Sequence, residues 1–214
     1  EKYLDWICET YGSCYDTMIV AVRGVHKAVV RLFLDDSHFH AFSRDSTSWT
    51  PFFHAAKNGH DHTVNLLIDK GVDPNLEDKN SFTALFVAAA ERHAEVVRTL
   101  LAQDAVDPNP MLLEKAQTAL HFAAARGDDK VAGVLLGAKG IKEDPVDGFG
   151  QTPLWLAASE GHEGVVKLLL ATKNVNVKAV SKTGLTPLSA ASENRRPGVV
   201  KMLLGYKESG LAIR

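Results

Sequence analysis

The sequence of 214 residues predicts an all-α solenoid, a stack of about six helix–turn–helix units joined by β-hairpin-like turns. The main observation is a short phrase, threonine followed by proline or alanine and then leucine or phenylalanine, that recurs along the chain. Its copies begin at Thr50, Thr83, Thr118, Thr152 and Thr186, at spacings of 33 to 35 residues. A constant period of this length is typical of stacked supersecondary units, each of which contacts only its neighbours.

Each unit carries start and stop signals for two short helices. Thr50 and Pro51 predict a helix N-terminus, because threonine caps free amides and proline stands where no amide bond is lost. Gly59 predicts a tight turn, because glycine adopts positive φ without steric cost. The apolar run that follows predicts a second helix, which Gly71 ends.

The unit resembles the ankyrin repeat. The residues that carry the resemblance most completely are Thr152-Pro153-Leu154, Ala157-Ala158, Gly161-His162, Val165-Val166 and Leu168-Leu169-Leu170. The resemblance covers residues 45–214 and continues upstream in a degenerate form. It implies an ankyrin repeat domain over 16–214, with repeats at 16–44, 45–77, 78–112, 113–146, 147–180 and 181–214. Residues 1–15 are predicted to form a helical cap, because an open stack must cover its apolar end.

Two positions depart from the pattern of the family. At the position where the family has histidine, the chain has Phe53, Phe86, His121, Trp155 and Ser189. The three large rings lose the hydrogen bond to threonine and either form an apolar ledge along a groove or pack between repeats. Arg92 and Arg195 replace the turn glycine, which is expected to cost about 1 kcal/mol each if the positive φ is kept.

Composition favours an interaction protein over an enzyme or a nucleic-acid binder. The net charge is −2, although residues 171–214 carry eight basic and two acidic side chains. No apolar stretch is long enough to span a membrane and no secretory pattern begins the chain, so we expect an intracellular, cytoplasmic location, with the nucleus as an open alternative. No nucleophile motif, phosphate loop or dinucleotide fingerprint is present. We therefore predict no enzyme activity and no cofactor.

The nine histidines do not predict a metal site. The resemblance places His26, His60, His93 and His162 in the turns between helices, where it implies hydrogen bonds to backbone, and pairs His121 with its threonine. The remaining histidines have no cysteine or carboxylate at the spacing of a metal ligand set. These four are His38, His40, His54 and His62.

The resemblance implies that the chain binds a partner protein or peptide of unknown identity. The expected surface is a concave groove of hairpin tips and first helices, with exposed aromatic anchors. The predicted partner-binding residues are Trp49, Phe53, Lys57, Phe82, Phe86, Glu91, Arg126, Phe149, Trp155 and Glu160. An alternative is a structural or sensor spacer within a larger fungal-type multidomain signalling protein. A remote alternative is an enzyme or small-molecule binder that uses an aromatic-lined groove.

Overall fold

The computed structural model describes residues 14–24, 26–35, 44–45 and 49–208. Over these residues the chain forms twelve helices in six pairs and one minimal two-stranded sheet, which confirms the predicted fold class. The chain divides into two compact units, Glu1–Asp107 and Pro108–Arg214. The predicted cap lies outside the described residues, apart from the two residues that begin the first helix.

The first unit contains three helix pairs. Their bounds are α1 (Cys14–Arg23), α2 (Lys27–Asp35), α3 (Pro51–Lys57), α4 (Asp61–Asp69), α5 (Ala84–Ala90) and α6 (Ala94–Leu101). The first helices of successive repeats pack together, α1 on α3 and α3 on α5, and the second helices do the same.

The second unit contains the remaining three pairs and begins with a β-hairpin. Its elements are β1 (Met111–Leu112), β2 (Gln117–Thr118), α7 (Ala119–Arg126), α8 (Asp129–Leu136), α9 (Pro153–Glu160), α10 (Glu163–Leu170), α11 (Pro187–Glu193) and α12 (Pro197–Glu208). The strands are antiparallel, with Met111 opposite Thr118 and Leu112 opposite Gln117. Here α9 packs between α7 and α11, and α10 packs between α8 and α12.

The core of each unit combines small residues on the first helices with branched residues on the second. Ala55 and Ala56 of α3 are buried, as are Ala157 and Ala158 of α9. Alanine keeps the helix surface narrow, so neighbouring first helices approach closely. The second helices bury valine and leucine in the same register, as at Leu67 of α4. The boundaries of the individual repeats remain predictions.

The turn between the two helices of a repeat needs a left-handed residue. Gly59, Gly127 and Gly161 adopt φ of 77°, 66° and 86° there, and Arg92 and Arg195 adopt 68° and 55°. The two arginines therefore keep the conformation on which the predicted strain depends, since a side chain in this region meets its own backbone.

A ladder of hydrogen bonds joins successive repeats within each unit. One side chain from the turn of a repeat donates to a carbonyl oxygen near the end of the preceding first helix. The bonds are His60 to Arg23 (3.2 Å) and His93 to Lys57 (2.8 Å) in the first unit, and His162 to Ala125 (3.0 Å) and Arg196 to Ser159 (3.2 Å) in the second. The structural role implied for His60, His93 and His162 is confirmed.

Candidate functional site

A groove of about 750 Å³ opens on the first unit, between the hairpins and the ends of the first helices. Four of the predicted partner-binding residues line it, namely Trp49, Lys57, Phe82 and Glu91. They come from two successive repeats, because hairpins and first helices of neighbouring repeats lie side by side. The sequence pattern therefore named four of the residues that this groove brings together.

Trp49 is fixed from three sides. Its indole Nε1–H donates to Asp78 Oδ2 at 2.8 Å, and its ring centroid lies 5.8 Å from that of Phe53. The Lys57 ammonium lies 5.1 Å from the Trp49 ring centroid, within the range of a cation–π contact. Trp49 is half-buried, so it offers part of its ring to the groove in a fixed orientation.

A carboxylate at the start of each of the two hairpins that line the groove sets the shape of that hairpin, and sequence reasoning missed this role. Asp78 Oδ1 accepts the backbone N–H of Asn80 at 2.8 Å and of Phe82 at 3.0 Å. Asp45 accepts the N–H of Trp49 at 2.9 Å through Oδ1 and faces His54 Nε2 at 2.8 Å through Oδ2. The signal was available, since each aspartate lies five residues before the threonine of its repeat.

Phe53 and Phe86 do not form part of the groove surface. Their exposed fractions are 0% and 1%. Phe86 supports Phe82 instead, in an edge-to-face contact with the ring centroids 5.2 Å apart. Phe53 and Phe86, which were predicted to contact a partner, are therefore buried in this structure, each against the ring of Trp49 or Phe82.

The other four predicted residues belong to the second unit. The Arg126 guanidinium lies 6.0 Å from the Phe122 ring centroid, and Phe149 is exposed at a hairpin tip. Trp155 is half-buried, and its Nε1–H donates to the backbone oxygen of Leu185 at 3.0 Å. The exposed Glu160 lies at the end of α9, with Oε2 3.7 Å from Arg196 Nη2.

His121 occupies the only described copy of the family's histidine position that still holds histidine. Its Nδ1 accepts the Thr118 backbone N–H at 3.1 Å, and its Nε2–H donates to Gln151 O at 3.2 Å. Burial lowers the pKa of the His121 imidazole, partly offset by the bond to Gln151 and by the charge of Asp147. The ring is therefore held neutral with its proton on Nε2, which serves structure rather than acid–base chemistry.

Within the described part of the chain, no three histidine, cysteine, aspartate or glutamate side chains come together as a metal site would require. Across those same residues, no helix is both long and apolar enough to cross a bilayer.

Stacked helix pairs with presented hairpins define a repeat solenoid, a class that generally serves as a protein-interaction module. The family model for ankyrin repeats (three copies) matches residues 17–111, 55–147 and 120–212, and the chain belongs to this family. A solved ankyrin repeat domain from Acinetobacter baumannii AYE is similar, with a TM-score of 0.79 at 25% identity over 89% of this chain and 97% of that one. A second ankyrin repeat protein, EF0377, shares the fold, with a TM-score of 0.81 at 24% identity over 90% and 98% of the two chains.

The curated relatives match only part of this chain. The probable E3 ubiquitin-protein ligase XBOS32 of Oryza sativa subsp. japonica is 37% identical over 87 residues, which is 41% of this chain and 17% of the ligase. The ankyrin repeat protein nuc-2 of Neurospora crassa is 38% identical over 52 residues, which is 24% of this chain and 5% of that protein. The chain therefore spans less than a fifth of the length of either relative.

Proposed function

We propose that the chain binds a partner protein or peptide in the groove of the first unit. The observation that carries this proposal is Trp49, held half-exposed between Asp78 and Lys57 beside Phe82. Aromatic side chains in fixed orientation are common anchors of interfaces, and hairpins already held by hydrogen bonds lose little entropy on binding.

The rim of the groove matches a partner segment that carries charges of both signs. Lys57 and Glu91 are exposed at neighbouring first helices, and Lys79 is exposed on the hairpin. Such charges set the orientation of a partner, while the aromatic floor supplies most of the affinity. A segment that inserts an apolar side chain between Trp49 and Phe82 would contact both the charged rim and the aromatic floor.

The polar groups of the groove favour this function over catalysis or small-molecule binding. A small-molecule site has polar groups that converge on the cavity. Here the Asp78 carboxylate accepts three hydrogen bonds from its own repeat and its neighbour, and Asp45 faces His54. These groups hold the hairpins rather than converge on the cavity, so we propose that the chain is not an enzyme. We also propose that it acts in the cytoplasm.

The second candidate function is a structural or sensor spacer within a larger fungal-type multidomain signalling protein. The observation that favours it is the partial coverage of the relatives, which carry similar repeats as a small share of longer chains. The groove would then bind either another domain of the same polypeptide or an external partner.

Selection from a random-peptide display library tests the groove. Peptides enriched on the wild-type chain are expected to lose about thirtyfold in affinity when Phe82 is changed to alanine, as for an interface anchor of about 2 kcal/mol. Lys57→Glu and Glu91→Lys are expected to shift the selected charges in opposite directions.

Arg98→Glu is the matched control, because Arg98 is exposed on α6 and does not line the groove. Circular dichroism checks that each variant is folded. Equal binding by wild type and Phe82→Ala, or equal losses with Arg98→Glu, would remove the groove as the binding surface.

A further inference from the structure

Three successive hairpins of the second unit are joined at their tips by backbone hydrogen bonds. The Gly148 N–H donates to Lys115 O at 2.7 Å, and the Lys182 N–H donates to Phe149 O at 2.9 Å. We call residues 113–115, 146–149 and 180–182 the tip ridge. Because the bonds connect main chain to main chain, the three tips form one rigid row rather than three independent loops.

The tip ridge exposes four large apolar side chains. Leu113 is 78% exposed, Val146 and Val180 are each 58% exposed, and Phe149 is 51% exposed. Val146 and Val180 occupy the same position of successive hairpins, one residue before Asp147 and Ser181. Single exposed apolar residues are ordinary, but a row of them on a rigid element is typical of a contact surface.

The Asp147 carboxylate holds the backbone that carries Phe149, the largest of these side chains. Its Oδ1 accepts the N–H of Phe149 at 2.9 Å and of Gln151 at 2.8 Å, and its Oδ2 accepts from Gln117 Nε2 at 3.0 Å. Phe149 is thus presented by a loop whose backbone is already ordered. Little further entropy is lost when a partner covers it.

The accessible charge on the tip ridge is mainly positive. Lys115 and Lys182 are exposed on either side of Phe149, and Lys178 is exposed two residues before Val180.

Most of the nearby carboxylates already accept hydrogen bonds from the chain itself, as Asp147 does. Glu143 accepts the Asn174 N–H and Asp144 accepts the Asn176 N–H, both at 3.1 Å. Glu114 is the exposed exception. Over the whole unit, residues 108–214, there are fourteen basic and ten acidic side chains.

We propose that the tip ridge binds an extended acidic peptide segment whose carboxylates alternate with large apolar side chains. The apolar side chains of the segment cover Phe149 and the valine row, and its carboxylates meet Lys115 and Lys182, which flank Phe149. This surface is separate from the groove of the first unit, so either can fail without the other.

Fluorescence anisotropy with a labelled peptide of alternating glutamate and leucine tests the proposal. The wild-type chain is expected to bind it, and the double variant Lys115→Glu/Lys182→Glu to bind about tenfold more weakly. Phe149→Ser is expected to weaken binding by a similar factor while lowering its salt dependence little, since it removes apolar contact only.

The matched control is Lys130→Glu/Lys167→Glu, which makes the same change of charge on α8 and α10 of the same unit, away from the hairpins. Its affinity is expected to stay within about twofold of wild type, because charges beyond about 10 Å are screened at moderate salt. An equal loss of affinity in this control would mean that the effect depends on net charge alone, and it would overturn the proposal. So would absence of binding by the wild-type chain, or equal binding of a lysine–leucine peptide.

Two other occupants give distinct results in the same assay. Single-stranded oligothymidylate that displaces the acidic peptide and binds more tightly would assign the ridge to nucleic acid and overturn the proposal. Self-association in sedimentation that is lost in Lys115→Glu/Lys182→Glu would assign it to a second copy of the chain. The groove variant Lys57→Glu is expected to leave peptide binding unchanged, which separates this test from that of the groove.

Discussion

The indole N–H of Trp155 donates to the backbone oxygen of Leu185 at 3.0 Å, in the position where His121 donates to Gln151 at 3.2 Å. Both donors reach the residue that precedes the threonine of the next repeat. Tryptophan therefore keeps the bond between repeats while it gives up the bond of histidine to its own threonine. Phe53 and Phe86 have no such donor and are buried completely instead.

Changing Trp155 to phenylalanine is expected to destabilise the second unit by up to about 1 kcal/mol beyond the cost of the smaller ring, because Leu185 O keeps only its hydrogen bond from the Ser181 N–H. Changing Trp155 to histidine is expected to restore the bond. Urea unfolding followed by circular dichroism measures both. If Trp155→Phe and Trp155→His unfold at the same urea concentration, a side-chain hydrogen bond from this position to Leu185 O contributes nothing to stability.

The stability of the chain is expected to fall in mild acid through His121. Burial lowers the pKa of the folded His121 below its ordinary value of 6.5, so the unfolded chain binds this proton more readily. The free energy of unfolding therefore decreases as the pH falls below about 6.5, by at most about 1.4 kcal/mol per pH unit for this group, until the folded pKa is reached. Above that range the effect is absent.

His121→Phe isolates this contribution, because phenylalanine occupies the same position in two other repeats. Unfolding free energies measured at several pH values are expected to show a shallower acid slope in the variant. The other histidines are common to both proteins and cancel in the difference. Identical slopes would assign the acid sensitivity to groups other than His121.

Replacing strained residues by glycine is expected to stabilise the chain. Arg92, Ala116 and Arg195 have φ of 68°, 51° and 55°, at positions where other repeats have glycine. Relief of backbone strain outweighs the added flexibility of the unfolded chain, for a net gain of about 0.5 to 1 kcal/mol at each site. Thermal unfolding checks each variant. Arg98→Gly, inside α6, should instead cost about 1 kcal/mol, and a loss at all four sites would contradict the assignment of strain.

Removing the Asp147 carboxylate is expected to loosen the hairpin that it organises. Asp147→Ala leaves the N–H groups of Phe149 and Gln151 and the Gln117 amide without their acceptor, at a cost of about 2 kcal/mol or more. Asp147→Asn keeps one oxygen acceptor and is expected to cost less. Hydrogen exchange at the Phe149 and Gln151 amides should speed up in Asp147→Ala. Unchanged exchange there would mean that the backbone holds the tip without the carboxylate.

Much of the fold followed from local signals. Pro51 favours the first position of a helix through its fixed φ, although the Thr50 hydroxyl makes no cap hydrogen bond, and Gly59 permits a left-handed turn because it has no Cβ. The period of 33 to 35 residues then repeats these signals, so helix pairs and turns could be predicted together. The same register predicted which histidines join the repeats. The aspartates at the start of the hairpins also recur in this register, although their role was not predicted from it.

The candidate site could be predicted only in part. Trp49 and Phe53 are both aromatic and lie four residues apart, yet one lines the groove and the other is buried. The difference depends on Asp78, which lies 29 residues beyond Trp49 and holds its indole N–H at the hairpin. Spacing within one repeat contains no information on which partner the next repeat presents.

The sequence by itself determined the class of fold, the order of helices and turns, and the positions at which the pattern is interrupted, because these depend on local backbone preferences and on periodicity. Only the tertiary structure decided which interruptions reach the surface. Phe149 is exposed and Phe86 is buried, and exposure depends on how the helix pairs pack, which local preferences and periodicity do not determine.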